Sequence, residues 1–151
     1  MLKRAAAAHL AISKRYPRLG STDASVPSPR FHKLAADLTR KKASLLVQLR
    51  MGHVPLNQHL VRIRAVESPL CPTYYKREET VRHYLLACPA YASQRRSLHA
   101  ELSRDADSIS QFLAHPKAMG PLFRFIVATR RWGSTFDGLN TERQHARQST
   151  P

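Results

Sequence analysis

Apolar residues recur along this chain at the spacing of an α-helix, in short runs that prolines interrupt. Phe31, Leu34 and Leu38, for example, lie three and four residues apart and therefore share one face of a helix. Alternating apolar runs joined by a two-residue turn, which would indicate a hairpin, do not occur. The pattern predicts an all-α protein, folded as a small bundle of short helices.

Capping and breaking residues indicate where the individual helices begin and end. Thr39 is a candidate N-cap that would divide one long helical run into two helices, and Gly52 is expected to end the second. Pro121 is expected in the first turn of the last helix, where proline is favoured. The expected helices span about 2–15, 31–51, 56–63, 78–88, 89–104, 108–114 and 121–132.

Length and composition predict one domain with extensions at both ends. A chain of 151 residues suits a single hydrophobic core. Residues 1–30 are expected to form an N-terminal helix and a Pro/Ser-rich linker, 31–132 the helical domain, and 133–151 a polar, disordered tail. No run of about 18 apolar residues occurs, so no membrane partner is expected. The two cysteines are too few for a disulfide framework, and we expect an intracellular, nuclear protein.

The charge of the chain is strongly positive and unevenly distributed. Twenty-five Lys and Arg stand against ten Asp and Glu, for a formal net charge of +15. Residues 1–77 carry fifteen bases and three acids, whereas residues 78–151 carry ten bases and seven acids. This asymmetry favours contact with nucleic acid phosphates, RNA or DNA, although a solvated basic surface is the alternative. The candidate phosphate-binding residues are Arg40, Lys41, Lys42, Arg50, Arg62 and Arg64.

The segment from Cys71 to Cys88 has the spacing of a zinc knuckle with one ligand replaced. Cys71 and Tyr74 stand at C-x2-C spacing, and His83 and Cys88 follow as H-x4-C. Zinc takes four Cys or His ligands in such sites, and the phenol of Tyr74, with a pKa of ~10, is a poor substitute. The groups that could complete the site without matching the spacing are Tyr75, Lys76, Glu78 and a water molecule.

Helix geometry sets a condition on this site. In an ideal helix His83 and Cys88 are roughly 140° apart around the axis, so they do not share a face. They could bind one ion only if the helix ends before Cys88, which Pro89 favours. The alternative is that Cys71 and Cys88 are ordinary buried thiols and His83 an exposed helical histidine.

The residues around the knuckle form a longer, specific string of motifs. The string comprises Ser44–His53, Leu56–Leu60, Ser68–Pro72, Glu78–Pro89 and Pro121–Ile126. In these segments the chain resembles the C-terminal region of reverse transcriptases encoded by fungal non-LTR retrotransposons, the part that follows the ribonuclease H domain. The resemblance covers roughly residues 10–137.

This resemblance implies a zinc-binding element of the CCHC type that assists contact with template RNA or target DNA. Carried over by position, Cys71, His83 and Cys88 are the zinc ligands. The second cysteine of the family falls on Tyr74, and a threonine of the family falls on Met51.

No catalytic constellation is recognisable in the sequence. The chain holds ten acidic residues, and the adjacent pair Glu78 and Glu79 is expected at a helix end, where the helix dipole favours acids. We expect His53, next to Gly52, to have a structural role near the last carbonyls of a helix. No P-loop or HExxH segment occurs, so we expect neither enzymatic activity nor a small-molecule substrate. The alternatives are a structural relic of a decayed element and a helical protein-interaction module.

Overall fold

A computed structural model of the protein describes residues 29–102 and 108–140. The helix expected over residues 2–15, most of the expected linker and the last eleven residues of the expected tail lie outside this range. Within it, the fold class predicted from the sequence is confirmed: the architecture is helical, and the only β feature of the described residues is an isolated antiparallel bridge between Leu70 and Glu78.

Six α-helices make up most of the described structure. They are α1 (Pro29–Ala36), α2 (Arg40–Met51), α3 (Asn57–Arg62), α4 (Ala92–Leu102), α5 (Ile109–Ala114) and α6 (Pro116–Thr129). A π-helical turn (His83–Ala87) and a 3-10 turn (Pro89–Tyr91) precede α4, and a 3-10 helix (Gly133–Asn140) follows α6. None of the helices in the described ranges has the length and apolarity needed to cross a membrane.

Several helix ends follow the local signals in the sequence. Thr39 is the N-cap of α2, and its hydroxyl accepts a hydrogen bond from the backbone N–H of Lys42 at 3.4 Å. Gly52 ends the same helix with φ of 65°, a left-handed conformation that glycine adopts without steric cost. Ser108 likewise caps α5 by accepting from the N–H of Ser110. The predicted division of the run at Thr39 is therefore confirmed.

Two helix starts differ from the prediction. The last helix begins at Pro116, with the His115 side chain as its cap, and Pro121 lies inside it. A proline inside a helix removes a backbone donor, and the packing of the buried residues around it, Met119, Leu122 and Phe123, offsets this cost. In the knuckle, helical structure begins at Val81 rather than at residue 78, since the Thr80 hydroxyl accepts from the N–H of His83 and ends the extended chain.

The segment after α6 was expected to be disordered, and for residues 133–140 this was wrong. Leu139 is 1% exposed, and Phe136 packs edge-on against Trp132 with ring centroids 5.2 Å apart. The indole N–H of Trp132 donates to the carbonyl of Pro55 at 2.9 Å. These contacts hold the 3-10 helix against the domain.

Tyr84 lies at the centre of the core and connects the knuckle to the helices. Its ring contacts those of Tyr91, Phe125 and Trp132 at centroid distances of 5.1 to 5.5 Å. Its hydroxyl and that of Thr129 are hydrogen-bonded at 2.7 Å. Because α6 also packs against α4 and α5, the turn that carries His83 rests on a rigid base.

Candidate metal centre and basic surface

Three side chains from distant parts of the knuckle converge on one point. The ligand atoms of Cys71, His83 and Cys88 all lie within 4.8 Å of one another, and the three residues are buried. Among the described residues this is the one such group of metal-ligating side chains, and no carboxylate belongs to it. The arrangement could hold a metal ion.

A short closed loop positions Cys71. The backbone N–H of Cys71 donates to the carbonyl of Arg77 at 2.8 Å, and the N–H of Glu79 donates to the carbonyl of Pro69 at 2.8 Å. At the tip, the N–H of Tyr75 donates to the carbonyl of Cys71 at 2.8 Å. These bonds direct the Cys71 thiol inward, although the segment has no regular secondary structure of its own.

A π-helical turn brings Cys88 beside His83. The N–H of Cys88 donates to the carbonyl of His83 at 2.7 Å, an i to i+5 bond that replaces the i to i+4 bond of an α-helix. The wider turn reduces the angle between the two side chains. The turn ends at Ala87, and Cys88 is extended, as a residue before proline prefers. The helical structure ends one residue before the expected residue 88, which meets the condition for joint metal binding by His83 and Cys88. The π turn carried no signal in the sequence.

Arg95 of α4 holds this turn in place, and sequence reasoning missed it. Its guanidinium donates to the carbonyl of Leu85 at 2.9 Å and to that of Cys88 at 2.8 Å. The last carbonyls of a helical turn have no partner within the turn, so an arginine supplies the missing donors. A single arginine on an amphipathic helix gives no indication of such a role in the sequence.

His83 is buried, which differs from the alternative interpretation in which it is an exposed helical histidine. Its exposed fraction is 5%, and neither ring nitrogen has a hydrogen-bond partner in the described part of the chain. Leaving such a group unpaired costs about 1–3 kcal/mol. Burial lowers the pKa of His83, and Arg95 and Arg77 act in the same direction while Glu79 opposes them. The imidazole is therefore neutral near pH 7, the form that binds metals.

The two sulfur atoms have the separation that a zinc site requires. Cys71 Sγ and Cys88 Sγ lie 3.7 Å apart, and both cysteines are free. Two thiolates about 2.3 Å from one zinc ion at the tetrahedral angle lie about 3.8 Å apart, whereas a disulfide requires about 2.05 Å. Two sulfurs and a neutral imidazole are a donor set that suits zinc, so the residues present fit this ion.

The side chains considered for the fourth ligand position differ in their exposure and in their distance from the three candidate ligands. The Tyr74 ring stacks on the His83 ring, with centroids 5.9 Å apart and an angle of 20° between the planes. Tyr75 is 70% exposed, and Glu78 is exposed and outside the group of ligating atoms. A hydroxyl oxygen close to both sulfurs belongs to a residue that the sequence did not single out: Thr73 Oγ1 lies 3.2 Å from Cys71 Sγ and 3.7 Å from Cys88 Sγ.

Most of the candidate phosphate-binding residues are on the surface. Arg40, Lys41, Arg62 and Arg64 are exposed, and none of the four pairs with a carboxylate within the described residues. Lys42 is half-buried, with its ammonium 5.4 Å from the centre of the Phe123 ring.

Arg50 does not belong to this surface, and its assignment as a phosphate contact requires correction. It is 2% exposed, donates to the carbonyl of Leu113 at 2.9 Å, and stacks over the Phe31 ring at 4.0 Å. A guanidinium held in this way joins α1, α2 and α5 and is not accessible to a phosphate. The sequence does not reveal this, because the two residues that hold Arg50 lie far from it along the chain.

Glu79 differs from its expected role, whereas His53 has the expected structural role near the last carbonyls of α2. Glu79 precedes the helical turn and is fully buried, so it is not a helix-end charge. The backbone N–H of His53 donates to the carbonyl of Gln48 at 2.9 Å, and its ring stacks on that of His59 at 5.2 Å.

Neither protein-family models, nor curated proteins, nor solved structures yield a match to this chain. The case for its function therefore depends on its own residues.

Proposed function

We propose that this chain is a non-catalytic, zinc-stabilised module that binds nucleic acid, as the C-terminal part of a non-LTR retrotransposon reverse transcriptase. The observation that carries the proposal is the convergence of Cys71, Cys88 and the buried His83, whose imidazole has no hydrogen-bond partner among the described residues. Their spacing is the family's spacing at three of its four ligand positions.

The metal would have a structural role in this module. Bound zinc would supply a cross-link between the loop that carries Cys71 and the turn that carries His83 and Cys88. Neither segment is an ordinary α-helix or strand: the first has no regular structure, and the second is a π turn. Metal binding to such a site contributes directly to folding free energy.

The first turn of α2 supports the nucleic-acid part of the proposal. Arg40, Lys41 and Lys42 occupy it, and it holds no acidic residue. Cations at the N-terminus of a helix are unfavourable because the dipole is positive there, by about 0.3–1 kcal/mol each when exposed. A phosphate would reverse this, because both the helix end and the side chains attract it. Together with a net charge of +15, this arrangement favours a polyanionic partner.

Two measurements on the full chain test the proposal. Elemental analysis should find one zinc per chain, and removing it with a chelator should reduce helical circular dichroism and the thermal midpoint. Binding to RNA and DNA should weaken steeply with salt and show little sequence preference. A folded chain that holds no zinc and does not respond to a chelator would remove the metal from the proposal.

Charge-matched variants test the surface itself. Changing Arg40, Lys41 and Arg64 to Gln should reduce the slope of log affinity against log salt by up to about 2.7 for duplex DNA, since each phosphate contact contributes about 0.9. The control changes Arg96, Lys117 and Arg130 to Gln, which removes the same charge from other exposed positions. Equal losses in both variants would show that net charge, and not this surface, determines binding. If the unmodified chain binds neither zinc nor nucleic acid, the remaining explanation is a structural relic of a decayed element.

A further inference from the structure

The hydroxyl of Thr73 lies next to both sulfur atoms of the candidate metal centre. Its oxygen is 3.2 Å from Cys71 Sγ and 3.7 Å from Cys88 Sγ. Thr73 is exposed, whereas the three candidate ligands are buried. The hydroxyl of Thr73 therefore lies on the solvent side of the candidate ligands. No other side-chain oxygen in the described residues is in hydrogen-bond contact with the sulfurs.

These two distances are close to the oxygen–sulfur edges of a zinc tetrahedron. An oxygen about 2.1 Å from zinc and a sulfur about 2.3 Å from it lie about 3.6 Å apart at the tetrahedral angle. The two measured distances fall on either side of this value. The sulfur atoms themselves are already at the separation of a zinc pair, so a small rotation of the Thr73 side chain would complete the geometry.

Tyr74, which stands at the family's ligand position, has a different role. Its ring stacks nearly parallel to the imidazole of His83, and its hydroxyl makes no hydrogen bond to either sulfur in the described structure. The ring supports the orientation of the imidazole, while the residue before it points an oxygen at the sulfurs.

We infer that Thr73 provides the fourth zinc ligand of this chain through its hydroxyl oxygen, in place of the cysteine that is missing at position 74. The inference rests on the zinc site proposed above and names a residue outside the family's ligand pattern. Two thiolates, a neutral imidazole and a neutral hydroxyl give an uncharged complex with Zn²⁺. A neutral oxygen donor is weaker than a thiolate, so the site is expected to bind zinc less tightly than a site with three thiolates and one histidine.

Zinc affinity of four chains tests this inference. Competition with a chromophoric chelator should show at least a tenfold loss for Thr73→Val, which keeps the shape and removes the oxygen. Thr73→Ser, which keeps the hydroxyl, should remain within a few-fold of the unmodified chain. Tyr74→Phe removes only the phenol oxygen and keeps the stacked ring, so its affinity should be unchanged. Circular dichroism of each variant, measured with zinc in excess, checks that its fold is retained.

Cobalt(II) gives a second readout that does not depend on how well Thr73→Val folds. Thiolate-to-cobalt charge-transfer absorption grows with the number of coordinated thiolates, so Thr73→Cys should raise it by about half, from two thiolates to three. An unchanged absorption in Thr73→Cys would overturn the inference. Unchanged zinc affinity in Thr73→Val would also overturn it, and would assign the fourth ligand position to a solvent molecule. A loss of affinity in Tyr74→Phe would assign it to the phenol instead. If the unmodified chain binds neither zinc nor cobalt, the proposed zinc site itself fails.

Discussion

Glu79 and Arg131 form a buried, two-point ion pair across 52 residues of sequence. Arg131 Nε lies 2.5 Å from Glu79 Oε1, and Arg131 Nη2 lies 2.6 Å from Glu79 Oε2. The same carboxylate accepts the backbone N–H of Asn57 at 2.8 Å, at the start of α3. The pair therefore joins the knuckle, α3 and the end of α6. Its carboxylate, Glu79, lies four residues before His83 in the chain.

Removing one partner of this pair should be strongly destabilising. Glu79→Ala leaves Arg131 half-buried without its partner and removes the acceptor at the start of α3, so we expect a loss of about 3–5 kcal/mol in unfolding free energy. Urea denaturation measures the change. Glu78→Ala is the matched control. Glu78 is exposed, so its replacement should change the unfolding free energy by no more than about 0.5 kcal/mol. Similar results for the two variants would contradict the structural role of Glu79.

Arg95 should be a positioning residue for the metal centre. Arg95→Met keeps much of the side-chain packing but leaves the carbonyls of Leu85 and Cys88 without their donor, so the π turn should loosen. We expect zinc affinity to fall about 10–100-fold, the range found when groups that orient metal ligands are removed. Arg96→Met, on the exposed adjacent position of α4, should leave affinity unchanged. Chelator competition on folded samples checks both variants.

Arg50 should affect stability and leave nucleic-acid binding largely unchanged. Arg50→Ala removes the bond to the Leu113 carbonyl and the stack on Phe31, so we expect a loss of about 2–4 kcal/mol. Arg50→Lys should rescue little, since an ammonium cannot reproduce the planar stack. The salt dependence of binding, measured on the fraction that remains folded, should keep the slope of the unmodified chain. A lower slope for Arg50→Ala, which removes the charge, would return Arg50 to the binding surface.

A cysteine at position 74, as in the family proposed above, should strengthen the candidate metal site and make Thr73 dispensable. Tyr74→Cys should raise zinc affinity and, with zinc in excess, the thermal midpoint, because a ligand that binds only the folded state stabilises it. In that background the effect of Thr73→Val on affinity should vanish, since a thiolate displaces the hydroxyl. The double-mutant cycle measures this coupling. Additive effects of the two changes would show that Thr73 and residue 74 do not compete for one position.

Much of the local structure could be predicted because its causes lie within a few residues. Thr39, Gly52 and Ser108 end or begin helices through their own side chains or backbone freedom, and the helical spacing of apolar residues predicts the all-α class. The ligand set of the candidate site was also visible, because its residues lie within one segment of the sequence. Pro121 shows where local reasoning stops: a proline is compatible with a first turn, but the buried face of α6 begins earlier.

The sequence by itself thus determined the helical class, the segment of the candidate site and three candidate ligand residues within it. Only the tertiary structure decided which charges are buried and which oxygen faces the sulfurs. Arg50 bonds to a carbonyl 63 residues away, and Glu79 pairs with an arginine 52 residues away. The π turn at His83 is likewise held by Arg95 from α4. Such partners meet only when the helices pack. Burial then requires each charged group to be paired, and this determines whether a charged side chain is structural or free to bind a ligand.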